Sequence, residues 1–117
     1  GVSRSEAQGT SAVRSAVDIA VNYMQAHYAE NLGLEQLAEQ VHLSKYHFLR
    51  LFKDAMQTTP HQYLLMLRVN EAKKLLRTTN ENLTSVCVRT GFADEGHFCR
   101  TFKRITGQTP YQYRRTM

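Results

Sequence analysis

Residues 91–113 read GFADEGHFCRTFKRITGQTPYQY, and residues 42–63 read HLSKYHFLRLFKDAMQTTPHQY. The second stretch is an earlier copy of the first. A shift of 50 sets Phe48 on Phe98, Arg50 on Arg100, Phe52 on Phe102, Lys53 on Lys103, Thr59-Pro60 on Thr109-Pro110 and Tyr63 on Tyr113. A shift of 49 extends the match upstream, from Leu34, Leu37, Ala38 and Val41 to Leu83, Val86, Cys87 and Thr90. The second copy therefore carries one extra residue in its turn. Two copies make a duplicated unit, too few for a stacked solenoid.

Each copy has the periodicity of a helix. Phe98, Phe102 and Ile105 recur at spacings of four and three, which is one face of an α-helix. In the first copy Phe48, Leu51, Phe52 and Ala55 are expected to face inward. The opposite faces hold Tyr46, Arg50 and Lys53, and Gly96, Arg100, Lys103 and Arg104; His47, Leu49 and His97 flank them. Ser44 and Asp94 stand where a side-chain oxygen caps a helix start, and Leu43 with Phe48 forms a hydrophobic staple. A short helix precedes each, at Leu34–Val41 and Leu83–Arg89, with Gly33 and Asn82 ahead of it. Ala38 and Cys87 are small enough for a close crossing. A short helix, a tight turn and a second helix with a basic outer face is a helix-turn-helix. Gly91 suits a turn position with positive φ; His42 stands there in the first copy.

This chain resembles the DNA-binding domain of the AraC/XylS family of bacterial transcription regulators. The residues that carry the resemblance are Leu37-Ala38, Leu43-Ser44, Arg50-Leu51-Phe52-Lys53, Pro60, Tyr63, Arg68, Ala72, Leu75-Leu76, Gly91-Phe92, Phe98, Arg100, Phe102-Lys103, Gly107, Pro110 and Tyr113. They span roughly residues 15–115. The resemblance implies an all-α, homeodomain-like fold of about seven helices, in which a long linker helix joins two helix-turn-helix lobes. It places base-reading positions on Tyr46, Leu49 and Arg50 in the first lobe and on Glu95, Gly96, His97 and Arg100 in the second. It further implies a transcription regulator, activation being favoured over repression, with RNA polymerase as a further partner.

Chemistry supports those assignments. Arginine makes bidentate contacts to guanine O6 and N7, so Arg50 and Arg100 are the main candidates for reading sequence. Tyr46 packs on a thymine methyl or a sugar, or is a rim aromatic. Glu95 accepts from cytosine N4 or serves the helix dipole. Gly96 brings no side chain to a groove. Lys45, His47, Lys53, Thr101, Lys103 and Arg104 are expected on phosphates, which position the protein without specifying sequence.

The rest of the chain fits around these two copies. Residues 1–12 are small and polar and read as a disordered linker or tag remnant, so an effector-binding or dimerisation domain is expected N-terminal to this fragment. The DNA-binding domain is expected over residues 13–117, with a first lobe at 13–58, a linker helix at 60–77 and a second lobe at 82–115. Val13–Tyr28 has an apolar stripe that includes His27, and reads as a support helix for the first lobe. Pro60 opens the linker helix behind Thr59. Eighteen residues of helix span about 27 Å, near the roughly 34 Å between major grooves on one side of B-DNA. The recognition helices, 45–56 and 95–106, are thus expected to enter successive major grooves. Gly107 ends the second of them, and Pro110–Arg115 forms a last short helix whose Arg114 and Arg115 are solvated or meet phosphate.

Charge follows the duplication. Residues 1–39 hold two arginines against five acids, and residues 40–117 hold thirteen Lys and Arg against five acids. A basic domain suits nucleic acid or an acidic membrane surface. Cys87 and Cys99 supply neither a disulfide framework nor zinc spacing, and imply a reducing cytoplasm. No apolar run reaches a membrane span. No paired carboxylates, phosphate loop, metal cluster or nucleophile–base pair is present, so neither an enzyme nor a cofactor is expected. A module that binds acidic protein surfaces is the competing reading.

Overall fold

The computed structural model describes residues 2–116, with side chains from residue 15 onward. These residues form seven helices and no strand. They are α1 (Val2–His27), α2 (Leu34–Gln40), α3 (Lys45–Met56), α4 (Pro60–Thr78), α5 (Leu83–Arg89), α6 (Glu95–Thr106) and α7 (Pro110–Arg115). The expected linker at residues 1–12 falls where side chains lie outside the described residues. The helical backbone starts at Val2, ahead of the expected start at Val13.

Two compact units divide the chain. The first comprises Gly1–His27 and Leu32–Tyr63, and the second comprises Tyr28–Asn31 and Leu64–Met117. The boundary falls inside α4, so this helix contributes residues to both units.

The first unit is built on a stripe of Val17, Ala20 and Met24 in α1, which with Leu37 and Ala38 of α2 and Phe48 and Phe52 of α3 forms its buried apolar set. Phe48 and Phe52 are four residues apart, with ring centroids at 5.7 Å, and Phe52 meets Tyr63 edge-on at 5.8 Å. The second unit repeats this aromatic row. Phe98 and Phe102 lie at 5.9 Å, and Phe102 meets Tyr113 edge-on at 5.5 Å. Its core adds Leu65, Val69, Ala72 and Leu76 from α4, Val86 and Cys87 from α5, and Phe92.

Two inward assignments need correction. Ala55 and Ile105 are both exposed. Each lies about one turn beyond the last Phe of its helix.

The turns of the two copies match in conformation as well as position. His42 has φ 58° and Gly91 has φ 90°; Gln57 and Gly107, which end α3 and α6, have φ 60° and 85°. Gly91 is needed twice over. Its φ is left-handed, and a Cβ there would stand 2.7 Å from the Cα of Ala29. At Gly107 a Cβ would meet nothing within 4 Å, so only the backbone angle asks for glycine.

Two arginines are structural clamps. Arg68 donates from Nε to the Tyr28 carbonyl at 2.7 Å and from Nη2 to the Glu30 carbonyl at 2.9 Å, and lies over the Phe92 ring. Burial lowers its pKa. Arg114 donates to the carbonyls of Leu76, Thr79 and Glu81, at 3.3, 3.2 and 2.6 Å. These carbonyls lie at and beyond the α4 C-terminus, where the last turn lacks intrahelical donors. Arg114 is therefore an internal cap and not a tail charge.

Candidate nucleic-acid interface

Both recognition helices begin on a side-chain cap. Ser44 Oγ accepts from the His47 N–H at 3.2 Å, and Asp94 Oδ1 accepts from the His97 N–H at 2.7 Å. Phe48 and Phe52, or Phe98 and Phe102, fasten the inner face of each helix to its own core. The outer face is then fixed by the 3.6-residue period. On α3 it exposes Tyr46, His47, Arg50 and Lys53, and on α6 Glu95, Gly96, Arg100, Lys103 and Arg104. Tyr46 is 76% exposed, a large aromatic standing free of its core. With His47 and Arg50 it lines a shallow hollow of about 260 Å³ on α3.

Four candidates sit differently from that row, and the first in the chain, Lys45, is half-buried. Leu49 is half-buried at the flank. His97 is also half-buried, its ring edge-on to Phe92 at 5.5 Å. Thr101, expected on a phosphate, is 4% exposed. It follows Phe98 by three residues and so shares the inward face. This burial removes Thr101 from the interface.

The first residue of each recognition helix is tied to the helix before it. In the first unit Lys45 Nζ meets Glu35 Oε1 at 3.5 Å, and the ammonium also lies 5.2 Å from the Tyr46 ring centroid. In the second, Glu95 Oε1 accepts from the Thr84 hydroxyl. Glu35 and Thr84 are related by the shift of 49, and Lys45 and Glu95 by the shift of 50. The same cross-helix tie thus recurs with different chemistry. Neither Lys45 nor Glu95 is as free for DNA as the sequence pattern implied.

The helix-turn-helix domain family matches residues 37–116. The chain belongs to the AraC-type helix-turn-helix family. A solved AraC-type DNA-binding-domain protein from Chromobacterium violaceum is 32% identical, with a TM-score of 0.81 over 86% of this chain and 90% of that one. The DNA-binding domain of AdpA, solved in complex with a target DNA, is 29% identical, with a TM-score of 0.82 over the same shares. The bifunctional transcriptional activator and DNA repair enzyme AdaA of Bacillus subtilis is 38% identical over 98 residues. That match takes in 84% of this chain but 46% of AdaA, so the chain spans about half the length of that relative.

In this AraC-type domain the described cations differ in what they meet. Arg68 and Arg114 hold carbonyls, Arg89 pairs with Glu81, and Lys74 meets Glu71 at 3.2 Å. Arg50, Lys53, Arg100 and Lys103 remain exposed on the outer faces of α3 and α6. Sequence reading alone did not find Glu35 and Thr84, although their equivalence was visible in the repeat. Cys99 is half-buried beside this face. Burial first, and the Glu95 carboxylate second, push its thiol pKa up, which keeps it neutral and weakly nucleophilic. No helix among the described residues is long and apolar enough to cross a membrane.

Proposed function

We propose that this domain binds duplex DNA sequence-specifically by setting α3 and α6 into successive major grooves. It serves as the DNA-reading part of a transcription regulator, one that activates, as the name of AdaA says of that relative. The observation that carries this reading is the equivalence of Arg50 and Arg100. Both are exposed, both sit two residues after an inward Phe, and both lie on a capped helix fastened by its own aromatic row. The AdpA domain, similar in fold over most of the chain, was solved on a target DNA. A continuous α4 of 19 residues, about 28 Å long, suits two helices meant for grooves about 34 Å apart.

Roles divide by position. Arg50 and Arg100 read guanine, Tyr46 makes apolar contact, and Leu49 and His97 line the flank of the groove. Lys53, Lys103, His47 and Arg104 meet phosphate. Lys45 and Glu95 set the pose of their helices through Glu35 and Thr84. RNA polymerase and an N-terminal effector or dimerisation domain are further partners on this reading.

Selection from random duplexes tests it. A bipartite site with two clusters about 10 base pairs apart is expected. A single cluster, or affinity without preference at any salt, overturns the paired-groove reading. If the basic faces instead served an acidic protein, binding to random duplex would be absent even at low salt.

A further inference from the structure

In α6 the residue four places before Arg100 is Gly96, and in α3 the residue four places before Arg50 is Tyr46. Residues four apart lie one above the other on a helix face, and long side chains lean back toward the helix start. A Cβ built on Gly96 would stand 3.1 Å from Arg100 Nη1, 3.8 Å from Arg100 Cζ and 3.2 Å from Asp94 Oδ1. The Arg100 guanidinium is therefore folded over the bare Cα of Gly96. It lies against the first turn of α6, beside the carboxylate that caps the helix through the His97 N–H. The backbone does not ask for glycine here, because Gly96 is within α6 and the positive-φ glycines are Gly91 and Gly107. Glycine is a poor helix former, so helix propensity does not account for it at this position. What the missing side chain provides is room for the guanidinium.

We propose that Gly96 determines specificity by positioning Arg100. The empty space over its Cα is a bed that directs the guanidinium at the base pair facing the first turn of α6. Tyr46 carries a side chain at the equivalent place in α3, so Arg50 has no such bed. The duplicated arginines then read guanine at different offsets from their helix starts. This inference rests on the base-reading role assigned to Arg100.

The test is site selection on the wild type, Arg100→Ala, Gly96→Ala and the double variant, with melting temperature and random-duplex affinity measured alongside. Arg100→Ala is expected to erase preference at one cluster of base pairs. Gly96→Ala should change discrimination at that same cluster by roughly fivefold or more. It should leave random-duplex affinity within about twofold. Its melting temperature carries two opposed contributions, because alanine is the better helix former but the new Cβ stands 3.2 Å from the capping Asp94 Oδ1, so discrimination is the deciding readout. The double variant should match Arg100→Ala alone. Two results overturn the proposal: unchanged discrimination in Gly96→Ala, or changes at base pairs that Arg100→Ala leaves intact. If Arg100→Ala itself alters no preference, the base-reading role fails and the bed fails with it. A silent Gly96→Ala beside an affected Arg100→Ala overturns the bed alone.

Discussion

Arg50 and Arg100 are distinguished from Arg68 and Arg114 by where their neighbours leave them. Arg68 and Arg114 carry the same group but spend their donors on carbonyls inside the fold. Arg50→Ala and Arg100→Ala should each cost about 1–3 kcal/mol on the best site and relax different clusters of it. Their losses should roughly add, because they share no contact; repeated site selection with quantitative binding checks both points. Arg114→Ala should behave in the opposite way. Removing the internal cap should destabilise the domain by about 1.5–3 kcal/mol. It should leave the salt dependence of DNA binding unchanged, whereas Lys103→Ala should lower that slope by about one. Chemical denaturation and binding at several salt concentrations separate the two. The glycines differ in the same way. Gly91→Ala meets both a left-handed φ and the Ala29 backbone, and should cost at least about 2 kcal/mol. Gly107→Ala meets only the φ and should cost about 1 kcal/mol. Equal losses in denaturation would mean that the close approach to Ala29 contributes nothing.

For the helices, the caps and ties decide how well each outer face is aimed. Asp94→Ala removes the acceptor for the His97 N–H and should cost about 1 kcal/mol. The cross-helix tie between Thr84 and Glu95 is exposed and worth little to stability. Its effect should therefore appear in DNA preference and not in melting. Thr84→Val frees the Glu95 carboxylate, and the preferred bases opposite the start of α6 should change while the melting temperature holds. Cys99 reports on the same region. With its thiol pKa raised by burial and by Glu95, alkylation at neutral pH should run slower than for a free thiol. Cys87, buried with its pKa also raised, should react only on unfolding. Mass spectrometry of timed alkylation checks both.

At the scale of the whole molecule, α4 is the element to perturb. Its second part, Leu65 through Leu76, supplies four residues to one core, so an inserted residue near Lys73 would break that core's register. The unit boundary lies between Tyr63 and Leu64. One Ala inserted there turns the downstream helix by about 100° against the upstream turn and leaves the positions from Leu65 to Leu76 in step with one another. Specific binding should be lost and random-duplex affinity kept. An unchanged site preference would mean that only one unit reads DNA. The intact domain should bind its site as a monomer, with log K falling against log salt at a slope of about −5 to −7 for six to eight phosphate contacts. Sedimentation of the complex measures the stoichiometry.

The repeat was legible because both copies must solve the same packing problem. Phe at spacing four, a small residue in the preceding helix, a cap and a left-handed turn each have a local signature, and together they set the helices, the caps at Ser44 and Asp94, and the outward register of Arg50 and Arg100. Residues whose role depends on reach were not legible. Thr101 is the exception, legible but assigned by its hydroxyl: it follows Phe98 by three residues and matches the inward Leu51 of the first copy, and it is buried. Arg114 looks like any tail cation until the α4 carbonyls are found within its reach. Lys45 reads as a phosphate contact and Glu95 as a groove residue until Glu35 and Thr84 come beside them. Periodicity assigns a side chain to a face, which is a one-dimensional property. What that side chain meets depends on residues distant in the chain, and only the tertiary structure brings those together.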